Sequence, residues 1–411
     1  MRTTNIIETP QYLTGVAPSI DASEEIRSLT GLRGVAAVWV VLFHMVVHDP
    51  GSGLIDAMIK HGYLAVDLFF VLSGFVMAMS YRRIFTHPLT GKTFCVFMLR
   101  RIARIYPLYI FVLLLVSTRL IGQAFLTHGP ARSLLTDLPF NIFLIQAWVG
   151  RPSILGPSWS VSTEFAAYFL FPLLLKSVTS RSQVLPALTV LLAGCGVLAV
   201  ACHSTTDILS ERHGPLDLSD GAPFWPLLRC MAEFTLGLVS YRAATSRLFS
   251  RRTESRTVTR FGLSTRTCID LAIGLALICA IAIPRSDIVF VALLPPLMIA
   301  LSARNGALST IFSARPIYMF GLWSYAIYLW HFPLLFIMWH AEALLQARIG
   351  FDLARAVGVV ACWAVILPVS ALSYRFIETP GRKIIRGFEK RLFPSEDRAV
   401  LESEAAGRAR L

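Results

Sequence analysis

The stretch Leu29-Thr30-Gly31-Leu32-Arg33-Gly34-Val35-Ala36-Ala37-Val38-Trp39-Val40-Val41-Leu42-Phe43-His44 decides the fold. It reads as an apolar helix with an arginine near its start and an imidazole three turns deeper. Both groups are costly in lipid, so each needs a partner or a task. At about 100° per residue, His44 returns to nearly the same helix face as Arg33, roughly 16 Å further along the axis. One face carries both groups.

The rest of the chain resembles this stretch in character. Its 411 residues are 55% hydrophobic and only 15% charged, with mean hydropathy +0.62. That composition predicts an all-α polytopic membrane protein. Ten candidate spans follow: 31–48, 62–81, 102–121, 159–176, 184–202, 224–241, 268–284, 287–302, 318–340 and 354–377. A further apolar stretch, 138–149, is too short to cross and is bounded by Pro139 and Pro152, so it is expected to be re-entrant or interfacial. Met1 to Arg27 is polar and lacks a signal-peptide pattern, so the first span is expected to be retained.

Charge orients the spans. Six basic residues and no acid lie between Arg82 and Arg104, and seven arginines with one acid lie in 242–267. Residues 203–222 instead hold Asp207, Glu211, Asp217 and Asp220 against Arg212. The positive-inside rule puts the basic segments in the cytoplasm, and ten spans then leave both termini cytoplasmic. The expected organisation is a cytoplasmic tail, 1–29, a transmembrane domain, 30–381, and a second cytoplasmic tail, 382–411. The net charge of +13 is read as this topology signal. Membrane lipid is therefore an expected partner, and nucleic acid is not. Seven scattered cysteines form no CxxC, and His48, four residues after His44, has no evident third ligand. Neither a disulfide framework nor a metal is expected.

Depth selects the chemistry. If each span starts at the water boundary, His44, Asp67 and Glu164 all reach the outer third of the membrane. A carboxylate beside a neutral imidazole would fix its tautomer for general-base work. The plainer alternatives are that His44 only bonds a neighbouring helix and that Asp67 only bonds backbone or a charge. At the other face, Arg101 and Arg104 are three residues apart on one helix face. With Arg33 they would clamp phosphates arriving from the cytosol, or merely set topology. Trp159, Ser160, Tyr328 and His331 are candidate pocket-lining residues for the substrate, with core packing as the alternative.

Taken in order, four motifs resemble the acyltransferase-3 family, integral membrane enzymes that modify bacterial surface glycans, nodulation factors and some antibiotics. They are Leu32-Arg33-Gly34 through His44, Val66-Asp67-Leu68-Phe69-Phe70-Val71-Leu72-Ser73-Gly74-Phe75, Arg101-Ile102-Ala103-Arg104-Ile105-Tyr106-Pro107, and Pro157-Ser158-Trp159-Ser160 with Glu164. Tyr325 to Pro333 and Glu378-Thr379-Pro380 continue the match, which spans about 28–381. Thr30 stands where many members have Asp.

The resemblance implies transfer of an acyl group, usually acetyl from acetyl-CoA, to a carbohydrate hydroxyl at the bacterial inner membrane. The acceptor could be an exopolysaccharide, O-antigen or lipo-oligosaccharide, and could be lipid-linked. Arg33 and His44 match the family's essential pair, and Arg101 and Arg104 its arginine pair. Members with a fused extracytoplasmic hydrolase-like domain hand the group onward. No such domain is expected here, so direct acylation of the acceptor is anticipated. His44 would act as general base, or alternatively carry the acyl group covalently. Two other functions stay open: acylation of a small molecule such as an antibiotic, and non-enzymatic transport of a glycan, which would predict inverted repeats.

Overall fold

The computed structural model describes residues 26–46, 53–85, 89–127, 131–206, 213–218, 224–246, 264–303 and 306–393. Among them the elements are helices: α1 (Arg27–Val46), α2 (Leu54–Lys60), α3 (Ala65–Tyr81), α4 (Gly91–Leu126), α5 (Ala131–Ile142), α6 (Trp159–Val178) and α7 (Val184–Thr206). Then come α8 (Trp225–Ala244), α9 (Thr265–Ala282), α10 (Asp287–Ser302), α11 (Ala307–Phe312), α12 (Arg315–Ile349), α13 (Phe351–Ser373) and α14 (Thr379–Leu392). His48, most of the 242–267 segment and the N-terminal 25 residues lie outside the described residues.

Among the described residues, eight helical segments are long and apolar enough to cross a membrane, which makes the chain an all-α polytopic membrane protein. The other two expected spans are helices of a different character. α8 carries Arg229 and Glu233 in its buried face, and α10 has only 16 residues.

Several helices outrun their apolar windows. α4 begins at Gly91 because Thr90 and Thr93 close a reciprocal capping box that satisfies its first backbone donors. Hydropathy marks where lipid is, whereas caps mark where the helix ends. The same applies at the other end of the chain. A π turn at Tyr374–Glu378 joins α13 to α14, so Arg382 to Leu392 is helix where a tail was expected.

Among the described residues, 143–158 form an irregular stretch of the membrane domain. Leu144, Gln146, Ala147, Leu155, Pro157 and Ser158 are buried, and Leu144, Gly150 and Gly156 have positive φ. Irregular backbone is tolerated at such a place only when buried in protein with its polar groups satisfied. Side chains do this here. Asn141 accepts from Ile154 N at 3.0 Å and donates to Pro152 O at 3.1 Å, while Trp148 Nε1 donates to Ser162 O at 2.8 Å. The stretch expected to re-enter over 138–149 is thus the end of α5 followed by a folded loop packed on α6.

Two close crossings fix the site. A Cβ on Gly34 would lie 2.5 Å from Gly321 N, so α1 and α12 touch backbone to backbone. Between α3 and α8, a Cβ on Gly74 would lie 1.9 Å from Phe234 O and one on Gly237 2.0 Å from Val71 O. Small residues permit this approach, which dispersion then holds where lipid offers no hydrophobic drive.

Candidate active site

Helices α1, α3, α4, α6 and α12 enclose a cavity of about 140 Å³. Arg33, Arg101, Arg104, Ser160, Glu164 and Tyr328 all line it. The α1–α12 crossing brings Arg33 to α12, and the three-residue spacing on α4 turns Arg101 and Arg104 the same way.

Arg101 and Arg104 are each held by their surroundings. Arg101 Nη2 donates to Tyr81 OH at 2.5 Å, and its guanidinium lies 4.7 Å from the Tyr81 ring centroid and 5.8 Å from that of Tyr168. Arg104 pairs with Glu378, which also accepts from Arg382 at 2.6 Å. On the facing wall, Glu164 accepts from Ser73 Oγ and, at 2.7 Å, from Tyr168 OH. Guanidinium groups therefore converge on one space, the arrangement that recognises phosphate or carboxylate.

A ladder of contacts leads from this cavity to His44. Tyr328 OH donates to Pro157 O at 2.8 Å and lies 2.7 Å from Ser160 Oγ. One turn on, His331 Nδ1 donates to Tyr328 O at 2.7 Å. The His331 ring stacks obliquely on His44 at 5.0 Å between centroids. His44 Nδ1 donates to Val40 O at 2.8 Å. A carbonyl can only accept, so in the neutral form both imidazoles carry their proton on Nδ1 and keep an Nε2 lone pair. His331 is fully buried, and its Nε2 has no partner among the described residues.

Two sequence expectations need correction. The group on His44 Nδ1 is its own helix carbonyl, not a carboxylate. Asp67 is instead the bidentate partner of Arg229 on α8, with Nε donating at 2.9 Å. A fully buried guanidinium requires a counter-ion, and that need claims the carboxylate. Glu164 misses the level of His44 for another reason. Its helix starts at Gly156–Ser158, a turn beside Tyr328 and Phe332, so Glu164, about two turns further on, lines the arginine cavity instead of meeting His44.

Trp159 packs 6.4 Å from Phe70 and 5.9 Å under the Arg229 guanidinium, a supporting position. Arg229 and Glu233 were missed in the sequence. Their signal was an i, i+4 pair of opposite charges inside an expected span, and Arg229 Nε to Glu233 Oε1 is 3.6 Å. Among the described residues, no group of three or more His, Cys, Asp or Glu has the geometry to hold a metal ion.

The membrane bundle thus links a converging arginine cluster to two imidazoles, His331 buried and His44 half-buried. The acyltransferase-domain model Acyl_transf_3 matches residues 26–375, and the chain belongs to this acyltransferase-3 family of O-acyltransferases. The chain is 26% identical over 408 residues to acyltransferase MdmB of Streptomyces mycarofaciens, covering 93% of this chain and 98% of that protein. It is 26% identical over 415 residues to peptidoglycan O-acetyltransferase OatA of Listeria monocytogenes, covering 91% of this chain but 57% of that protein. A putative membrane-bound transacylase, BcsY of Komagataeibacter xylinus, is 25% identical over 371 residues, covering 86% and 82%. No solved structure matches.

Proposed function

We propose that the protein moves an acetyl group from cytosolic acetyl-CoA to a hydroxyl of an exported or cell-surface carbohydrate at the bacterial inner membrane. The convergence of Arg33, Arg101 and Arg104 on one cavity, with His44 about 16 Å further along α1, carries this reading. The arginines hold the donor's phosphates. A carbohydrate acceptor is suggested by the relative named for peptidoglycan O-acetylation.

In the reaction, His44 Nε2 takes the proton of the acceptor hydroxyl as its oxygen attacks the thioester carbonyl. The carbon–sulfur bond breaks, and the departing thiolate is protonated from the imidazolium or from water. The Val40 carbonyl holds the required tautomer. Tyr328 and Ser160 stand between the arginine cavity and the imidazoles, where they would line the path of the acyl group.

The test uses full-length protein in proteoliposomes with acetyl-labelled acetyl-CoA, together with mass spectrometry of surface polysaccharide from cells with and without the gene. Acetyl esters that disappear with the gene, and CoA release that requires Arg101 and His44, are expected. An unchanged ester content with no CoA release would overturn the proposal.

A further inference from the structure

α14 has no part in the ladder described above, yet it is tied to the arginine end of the bundle by two ion pairs. The carboxylate just before it, Glu378, holds Arg104, and Glu389 near its end holds Arg100 at 2.8 Å. Gly381 lets its start press on Pro107, where a Cβ would come within 2.4 Å. From Gly381 to Glu389 is about 12 Å of helix and from Pro107 to Arg100 about 10 Å, so α14 packs along the N-terminal, basic part of α4.

Its faces sort by chemistry. Ile384, Phe388 and Leu392, four residues apart, form an exposed apolar stripe. Exposed Lys383, Arg386 and Lys390 lie on the opposite side, and Arg391 flanks the stripe. The helix carries five basic residues and one acid, and that acid is spent on Arg100. An apolar stripe backed by a basic face, on a helix at the basic end of the bundle, matches an anionic lipid surface in both chemistry and charge.

We propose that α14 is an interfacial helix seated against the cytosolic leaflet. Its stripe of Ile384, Phe388 and Leu392 enters the acyl region, and its lysines and arginines bind anionic phospholipid headgroups. The leaflet thereby fixes the helix that presents Glu378 and Glu389 to Arg104 and Arg100. This inference does not depend on the acyl donor or acceptor.

The experiment places one nitroxide at a time on residues 383, 384, 386, 388, 390 and 392 of the full chain in a cysteine-free background. Collision with lipid-soluble oxygen is compared with collision with a water-soluble nickel complex, in vesicles of phosphatidylcholine with and without phosphatidylglycerol. Labels at 384, 388 and 392 should favour oxygen, and those at 383, 386 and 390 nickel. Phosphatidylglycerol should raise the oxygen preference of the stripe, by about fivefold for each basic residue that reaches a headgroup. The Lys383→Gln/Arg386→Gln/Lys390→Gln variant should lose most of that rise. Six labels equally open to nickel would mean a helix standing in the cytosol, and a stripe shielded from both reagents would mean a protein partner or second copy. Either result overturns the proposal, as does an alternation indifferent to phosphatidylglycerol.

Discussion

Replacing Asp67 by Asn separates two roles that the sequence left together. If Asp67 orients His44, the substitution damages turnover and spares stability. If it is the counter-ion of Arg229, as the 2.9 Å bond from Nε indicates, the substitution strands a guanidinium that is only 1% exposed. Removing one partner of such a buried pair typically costs about 3–5 kcal/mol. Glu233 remains 3.6 Å from Arg229 Nε and takes over part of the role, which places the expected loss near the bottom of that range, about 3 kcal/mol. That corresponds to roughly a hundredfold shift in the folded-to-unfolded ratio.

The assay is a double-mutant cycle on the reconstituted protein, with unfolding followed in mixed detergent micelles for wild type, Asp67→Asn, Arg229→Met and the pair. Both single variants should be destabilised. The pair should recover part of the loss, because Asp67 and Arg229 are neutralised together while Glu233 still loses its cation. Stability unchanged within about 0.5 kcal/mol, with turnover down by about a hundredfold, would refute the counter-ion assignment and return Asp67 to His44.

Three further outcomes are expected. His44→Ala should lower turnover by about a hundredfold or more while leaving acetyl-CoA affinity within a factor of two, measured by steady-state kinetics and calorimetry. Glu378→Gln should release Arg104 from its carboxylate and tighten acetyl-CoA binding by about tenfold, near the value of one charge-assisted hydrogen bond, with some loss of thermal stability. Weaker binding would instead show that Glu378 helps build the donor site. Gly74→Ala drives a Cβ to 1.9 Å from the Phe234 carbonyl and should destabilise by about 3 kcal/mol, whereas Gly122→Ala, with open space around it, should be neutral or slightly stabilising.

The helical membrane fold was legible because lipid imposes it. Apolar runs near twenty residues long have only one way to satisfy their backbone, so the sequence positions of α1, α3, α4 and α12 follow from hydropathy. α8 was legible as an apolar segment, but its charges carried information that hydropathy averages away. Arg229 and Glu233 mark the buried polar seam that takes Asp67. Helix phase was equally reliable over short range, since Arg101 and Arg104 do face one cavity. What failed was depth. Counting residues inward from a presumed water boundary assumes that a helix begins at that boundary, and α6 does not. Asn141 and Ser162 bond the preceding loop into the protein, so Glu164 arrives well below the level assigned to it.

That failure of depth also explains why the two ends of the site are joined by helices other than α1. Arg33 and His44 share a helix, which fixes the gap between them at about 16 Å whatever the rest of the bundle does. A rigid spacing needs side chains to bridge it, and between Gly34 and Phe43 α1 offers only aliphatic residues and Trp39, whose indole donates to Met58 O on α2 at 2.9 Å. The bridge comes from α12, whose Tyr328 and His331 are one turn apart, and from the buried start of α6, whose Pro157 carbonyl and Ser160 hydroxyl meet the Tyr328 hydroxyl. The early, buried start of α6 is therefore the feature that lets a hydroxyl cluster sit between the guanidinium groups and the imidazoles. A helix beginning at the water boundary would have carried Ser160 past it.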